Sequence, residues 1–96
     1  MAKIFALKIL STAGAIYSSD IASLIVPAAD GYMGVLAEHA PFLAHLKTGR
    51  FTLRHSDGKN TVWDSPVSGF MEVLKTRVTI VLDGDVTAQD LRWQTL

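Results

Sequence analysis

Apolar and polar residues alternate along most of this chain. The alternation is clearest at residues 5–9, 51–54, 67–74 and 77–82. A period of two is typical of a β-strand with one buried face and one solvated face. No segment before residue 84 shows the 3.6-residue period of an amphipathic helix. The pattern therefore predicts an all-β protein.

Turn signals divide the chain into short strands, spaced at about ten residues. Asp57-Gly58, between two such strands, predicts a β-hairpin. Residues 16–26 are expected to form one longer extended segment that Pro27 ends, because proline cannot donate to a ladder. Gly69 within a strand pattern indicates either a β-bulge or close approach of a neighbouring backbone. We expect a two-layer antiparallel β-sandwich or flattened barrel of about 8–10 strands, since one layer cannot bury two apolar faces.

The C-terminal residues differ from the rest of the chain. Thr87 followed by Asp90 resembles the N-terminal cap of a helix, and residues 91–96 allow that helix to continue. The sequence therefore divides into a β-sandwich domain at 1–86 and a C-terminal tail at 87–96 that resembles the start of a helical segment.

The composition of the chain excludes several classes of protein. A hydrophobic content of 49% in 96 residues is enough for one modest core. The residues expected to fill it include Phe51, Trp63, Phe70 and Met71. Formal net charge is zero, which argues against a nucleic-acid binder. The absence of cysteine excludes disulfides. There is neither the continuous apolar core of a signal peptide nor an apolar run of about 18 residues, so we expect a protein on the cytoplasmic side.

Residues 30–43 do not fit a simple strand pattern. Gly31 and Gly34 allow the backbone to turn, extend and turn again. Pro41 then fixes a rigid corner near the imidazole of His39. This segment can be a packing corner, a histidine-containing site or a docking edge, and the residues alone leave these possibilities open.

One alternative hypothesis is a small metal-binding or metal-assisted β-sandwich protein. It would use His39, His45 and a nearby carboxylate, Asp30 or Glu38. The two histidines are six residues apart across a proline, which does not match familiar zinc motifs. No nucleophile accompanies them. A hydrogen-bonding role for His39 within its loop is the simpler interpretation.

Six short segments occur in an order that is informative as a set. They lie at 26–31, 33–36, 39–43, 46–49, 68–73 and 78–83. Their most specific part is the spacing Gly-x-x-Gly-x-x-x-x-His-Ala-Pro, with Gly-Phe-x-Glu-Val and a Val-Thr-Ile strand further on. In this order they resemble the N-terminal β-sandwich domain of the epsilon subunit of F-type ATP synthase. The resemblance extends to about Leu91, which is almost the whole chain.

The resemblance implies a non-catalytic subunit of the central stalk, with no cofactor, that binds the gamma subunit and the c-ring. The positions that match the family's gamma contact are Ser11, His39, Ala40, Pro41, Leu43 and neighbouring residues of the sheet. The positions that match its c-ring contact are Asp30, Gly31, Tyr32 and Met33. Where many relatives carry an acidic residue to meet basic side chains of the c-ring, this chain has Tyr32. Asp30 is therefore the carboxylate expected to supply the charge.

The resemblance also implies where such a subunit works. It would be peripheral to the cytoplasmic face of the bacterial inner membrane, held by the c-ring without inserting into lipid, and would couple proton-driven rotation to ATP synthesis. Most bacterial relatives continue into a helical hairpin that can block rotation and in some cases binds ATP. Only the first turns of such a hairpin are expected here, so we expect coupling without that inhibition.

Overall fold

The structure, a computed structural model, describes residues 3–95. Within that range the chain forms ten β-strands and one 3₁₀ turn, at Ala88–Asp90. The strands are β1 (Phe5–Ser11), β2 (Gly14–Ile21), β3 (Ser23–Ala28), β4 (Gly31–Leu36), β5 (Phe42–Leu46), β6 (Gly49–Arg54), β7 (Asn60–Ser65), β8 (Gly69–Val73), β9 (Arg77–Leu82) and β10 (Gln94–Thr95). The predicted all-β fold and the predicted number of strands are confirmed.

The strands form one sheet that turns back on itself. Its order is β10-β7-β6-β3-β5-β8-β9-β1-β2, and β4 pairs with the other side of β3. β3 and β5 share a single ladder pair, Ala28 with Leu46, and here the sheet passes from one layer to the other. We call the part from β5 to β2 the second layer. β1 and β9 are parallel, whereas every other strand pair between residues 3 and 95 is antiparallel.

Both layers contribute to one apolar core. Leu24 of the first layer and Ile80 of the second have no accessible surface. Trp63 stacks on Phe51 with ring centroids 4.0 Å apart and planes 4° from parallel. Burying a side chain of this kind contributes about 1.5–3 kcal/mol. The core therefore holds the fold without a ligand.

Three of the four aromatic and methionine residues predicted to be buried lie in that core, but Phe70 does not. Its side chain is 46% exposed. Met71 and Val73 on the same strand point inward, so the period of two places Phe70 on the outer face. The prediction for Phe70 was wrong because its size was weighed above its position in the alternation.

The predicted extended segment at 16–26 is interrupted, and Pro27 does not end it. β2 ends at Ile21 and β3 begins at Ser23. Pro27 is buried within β3. Its carbonyl accepts a hydrogen bond of 2.7 Å from the N–H of Lys47, so its backbone faces the irregular junction between β5 and β6. Proline is tolerated there because no regular ladder requires its missing N–H.

Two predictions based on glycine are confirmed. A Cβ added to Gly69 would overlap the carbonyl oxygen of Val81 on the neighbouring strand. The hairpin at Asp57-Gly58 joins β6 to β7, and Gly58 has a φ of +90°. At both positions the glycine satisfies a backbone requirement that a side chain would violate.

The C-terminal residues are capped as predicted, but the helix does not continue. The N–H of Thr87 donates to the carboxylate of Asp90 at 2.8 Å, and its hydroxyl donates to the same oxygen at 3.2 Å. Leu91 is then extended and buried. A helix of so few residues is marginal in isolation, whereas burial of Leu91 is favourable.

Trp93 attaches the tail to the sandwich. Its indole stacks on Tyr17 with centroids 4.9 Å apart and lies 5.4 Å from the ring of Trp63. Its Nε1–H donates to the carbonyl of Ala88 at 2.9 Å. β10 then pairs with β7. The division of the chain at residue 86 stays a prediction.

Candidate docking surface

An apolar row crosses the outer face of the second layer. The strand register places His45 opposite Phe70, Phe70 opposite Val81, and Val81 opposite Leu10. We call these four residues the outer row. His45 and Phe70 are exposed, and Val81 and Leu10 are half-buried. The aromatic ring of Phe70 is therefore exposed to water at the middle of this layer, and exposure of apolar surface to water is unfavourable.

The neighbouring row is mostly polar. Leu43 lies opposite Glu72, Glu72 opposite Thr79, and Thr79 opposite Lys8. Leu43 is the apolar member, and it is 72% exposed. Leu43 and the outer row therefore form one exposed apolar patch with a polar border along one side.

A shallow cleft of about 470 Å³ lies along the outer row. Its lining includes His45, Phe70 and Val81 of that row, together with the polar residues Thr12 and Asp83. Such a cleft can accept an apolar side chain of a partner whose neighbouring group is polar or basic.

The predicted loop around His39 is displayed beside this patch. His39, Ala40 and Pro41 are exposed and belong to no strand. Nδ1 of His39 is 3.0 Å from the carbonyl oxygen of Ala40, and its ring lies 4.9 Å from the ring of Phe42. These contacts agree with the simpler interpretation of His39, as a residue that orders its own loop.

Ser11 is more enclosed than the other residues predicted to contact gamma. It ends β1 and is half-buried. Its hydroxyl donates to the carbonyl of Val86 and accepts from the N–H of Ala13. Ser11 follows Leu10 directly, so it marks the end of the outer row opposite to His45.

The predicted c-ring residues lie at the β3–β4 turn, with Asp30 in the turn and Gly31 to Met33 at the start of β4. Asp30 and Tyr32 are exposed, and Met33 packs against the core. Gly31 has a φ of +127°, which disfavours any residue with a side chain. The hydroxyl of Tyr32 accepts a hydrogen bond of 3.4 Å from the N–H of Arg50. Tyr32 is thus tied to the start of β6 while its ring stays 64% exposed.

The structure brings Leu43, one of the predicted gamma-contact residues, close to the predicted c-ring residues. A second cleft, of about 440 Å³, is lined by Asp30 to Met33 on one side and by Leu43 and His45 on the other. Ser11 lies across the sheet from this cleft, three strands away from β5. The outer row connects the two ends.

The alternative metal site does not form. Between residues 3 and 95 there is no group of three histidine, cysteine or carboxylate side chains that could hold a metal ion. No observation therefore favours the metal hypothesis.

Exposed ion pairs lie at the loop after β4 and on the first layer. Lys3 donates to Glu38 at 2.7 Å, and this hydrogen bond lowers the pKa of Glu38 and raises the pKa of Lys3. On the first layer, Arg50 donates to Asp64 at 3.1 and 3.3 Å. That contact lowers the pKa of Asp64 and raises the pKa of Arg50.

Sequence reasoning missed three residues of this surface, Phe70, Val81 and Leu10. The signal was present, because each follows or precedes an inward-facing residue in an alternating strand. The register across β8, β9 and β1 was not readable from sequence, since it joins segments far apart in the chain.

The fold and the surface together define a small β-sandwich domain whose candidate site is an exposed apolar face bordered by loops. Between residues 3 and 95, no helix has the length and apolar content needed to cross a bilayer. Residues 4–88 match the family model described as the beta-sandwich domain of the ATP synthase delta/epsilon chain. The chain therefore belongs to the ATP synthase delta/epsilon family.

Curated relatives agree with this assignment. The ATP synthase epsilon chain of Desulforamulus reducens is 37% identical over 83 residues, which cover 86% of this chain and 61% of that one. The epsilon chain of Protochlamydia amoebophila is 33% identical over 88 residues, covering 92% of this chain and 59% of that one. The present chain thus spans about three fifths of the length of these relatives.

Solved structures share the fold. One is a chain in the cryo-EM structure of the Euglena gracilis mitochondrial ATP synthase, OSCP/F1/c-ring, with a TM-score of 0.74 and 23% identity over 82% of this chain and 50% of that one. Another comes from the central stalk and c-ring of the Tetrahymena thermophila mitochondrial ATP synthase, with a TM-score of 0.64 and 10% identity over 86% of this chain and 66% of that one. At these identities the likeness concerns the fold.

Proposed function

We propose that this domain is a non-catalytic rotor subunit of F-type ATP synthase that binds the gamma subunit and the c-ring. It turns with both partners and helps couple proton-driven rotation to ATP synthesis. The ATP and proton chemistry belongs to other subunits, and the domain needs no cofactor. The family match over residues 4–88 is the observation that carries the proposal.

The gamma subunit binds the outer row, Leu43 and the loop His39–Pro41. Interface centres are enriched in aromatic side chains and depleted in charge. Phe70, 46% exposed between His45 and Val81, matches that description. The cleft beside Phe70 gives the partner a place to insert one side chain.

The c-ring binds the β3–β4 turn. Asp30 supplies a carboxylate for basic side chains of the ring, and Tyr32 supplies an aromatic ring with a polar end, a combination favoured at interfaces. The turn and Leu43 line the same cleft, so the two partners meet at one edge of the domain. That arrangement suits a subunit that joins two parts of a rotor.

The place of action follows from these partners. The domain is peripheral to the cytoplasmic face of the bacterial inner membrane and is held there by the c-ring. It does not insert into lipid in this proposal.

Binding to purified partners tests the proposal. The domain mixed with gamma is expected to co-elute in gel filtration, and its failure to do so at micromolar concentrations would count against the gamma contact. Retention of the domain by c-rings in nanodiscs is expected to weaken about tenfold in Asp30→Asn. Asp20→Asn, which neutralises an exposed carboxylate on β2, is the matched control and should bind like the wild type.

A further inference from the structure

Glu38 has an unusual backbone conformation. Its φ is +63°, and no other residue except glycine has a positive φ between residues 3 and 95. Side chains disfavour this left-handed region, and glycine is the default where a turn needs it. Strain of this kind persists only where surrounding contacts fix the conformation, and it is concentrated at functional sites.

Contacts from two other parts of the chain fix Glu38. Its N–H donates to the carbonyl of Lys75 at 2.8 Å. Its carboxylate accepts from Lys3 at 2.7 Å and lies 4.0 Å from the ammonium of Lys75. Lys3 precedes β1, and Lys75 is in the turn between β8 and β9. One carboxylate therefore links the start of the chain, the β8–β9 turn and the loop after β4.

The residues that follow Glu38 are those expected to meet gamma. His39, Ala40 and Pro41 are exposed and belong to no strand. The hydrogen bond of His39 stays within the loop, and its ring packs on Phe42 at the start of β5. The direction of this loop is therefore set at its two ends, by Glu38 on one side and by Phe42 on the other.

We propose that Glu38 is a positioning residue whose carboxylate, held by Lys3 and Lys75, fixes the loop His39–Pro41 in the conformation that docks on gamma. This inference rests on the proposed function. A glycine at this position would adopt the same φ without strain, so the glutamate is explained by what its carboxylate contacts. The lowered pKa of Glu38 agrees with a carboxylate that stays ionised at neutral pH.

The ion pairs stabilise the loop conformation more than the fold. All three side chains are well exposed, at 39% for Glu38, 75% for Lys3 and 72% for Lys75. Exposed pairs contribute little to the free energy of unfolding. The loop His39–Pro41 has no strand hydrogen bonds, so its alternative conformations differ little in free energy. A small contribution from the ion pairs is therefore enough to favour one of them.

Three variants separate charge from backbone geometry. Glu38→Gln keeps the length of the side chain and removes the charge. Glu38→Gly keeps the left-handed φ and removes the side chain. The triple variant Lys3→Glu, Glu38→Lys, Lys75→Glu inverts all three charges and restores the attraction. Asp20→Asn is the control for loss of a carboxylate elsewhere.

Two measurements are made on each variant: amide hydrogen exchange at position 38, and affinity for gamma by titration at low and high salt. In Glu38→Gln we expect exchange at least threefold faster, gamma binding at least threefold weaker, and a smaller salt dependence than in the wild type. Glu38→Gly should show the same direction of change. The triple variant should recover exchange and affinity to within about twofold.

Unchanged exchange in Glu38→Gln would overturn the inference, and so would faster exchange with unchanged affinity. Failure of the triple variant to recover would also contradict the inference. The inference requires only that residue 38 attract residues 3 and 75, and the triple variant keeps that attraction with the signs reversed. If the wild-type domain does not bind gamma at all, the proposed function fails. The exchange rates would then still report whether Glu38 holds the loop.

Discussion

Phe70 on β8 lies opposite His45 on β5 in the antiparallel ladder, and both side chains point away from the core. Phe70 is 46% exposed, whereas Met71, the next residue along β8, is buried. Exposed aromatic rings in a regular strand lower solubility without helping the core. Under the function proposed above, contact with gamma explains why Phe70 is exposed.

Gly69 should not tolerate a side chain. The Cβ of Gly69→Ala would overlap the backbone of β9 at Val81, so the two strands must separate. We expect a loss of about 3 kcal/mol in the free energy of unfolding, measured by urea titration. Gly34→Ala is the matched control, because the nearest atom to its Cβ would be the carbonyl oxygen of Leu24 at 4.0 Å. Equal stability of the two variants would contradict the close approach at Gly69.

The alternation of apolar residues was sufficient to predict the strands but not the connections between them. Strands at 5–9, 51–54 and 77–82 were predictable because each has one solvated and one buried face. The parallel pairing of β1 with β9 joins residues about 70 positions apart, and no local pattern encodes it. Pro27 was misassigned because its backbone faces the irregular junction between β5 and β6, where no ladder hydrogen bond requires an N–H, and that junction forms only in the folded chain.

The parts of the candidate site that contain family motifs were predictable from sequence. The outer row was not, because its residues become neighbours only through the pairing of strands. The turn at Asp30–Met33 contains Gly31 and the loop His39–Pro41 contains Pro41, and the fixed spacing of these residues allowed both segments to be singled out from sequence. Phe70 and Val81, by contrast, look like ordinary strand residues until the ladder aligns them. The strain at Glu38 is likewise a property of φ, which sequence does not show.

Trp93 should make the tail part of the cooperative unit. Trp93→Ala removes the stacking on Tyr17 and the contact with Trp63. We expect a loss of about 2 kcal/mol in thermal or urea unfolding, since the side chain is only half-buried. Arg92→Ala, at the exposed neighbouring position, should change stability by less than about 0.5 kcal/mol. If the two variants behave alike, the tail is not packed on the sandwich.

The pair of Arg50 and Asp64 predicts a specific pH dependence. The pKa of Asp64 is lowered from 3.8 in the folded state, first by its hydrogen bond to Arg50. A lowered pKa adds stability above the unfolded-state pKa, and the gain is lost as pH falls through the folded-state pKa. We therefore expect the free energy of unfolding at pH 7 to be higher for the wild type than for Asp64→Asn. The two values should converge as the pH falls below 3.8.

A double-mutant cycle controls for other effects of Asp64. In an Arg50→Gln background, Asp64→Asn should lose most of its effect at pH 7, because the partner that stabilises the carboxylate is gone. A difference between wild type and Asp64→Asn that stays constant with pH would contradict this account of the pair.

Calorimetric titration of gamma with two matched variants tests the central claim most directly. Phe70 on the second layer and Ile25 on the first are exposed to similar extents, 46% and 44%, on opposite outer faces. Phe70→Ala is expected to weaken gamma binding at least tenfold, which is about 1.4 kcal/mol or more, while Ile25→Ala binds like the wild type. Equal affinities for the two variants, or a larger loss in Ile25→Ala, would show that the outer row is not the surface that holds gamma.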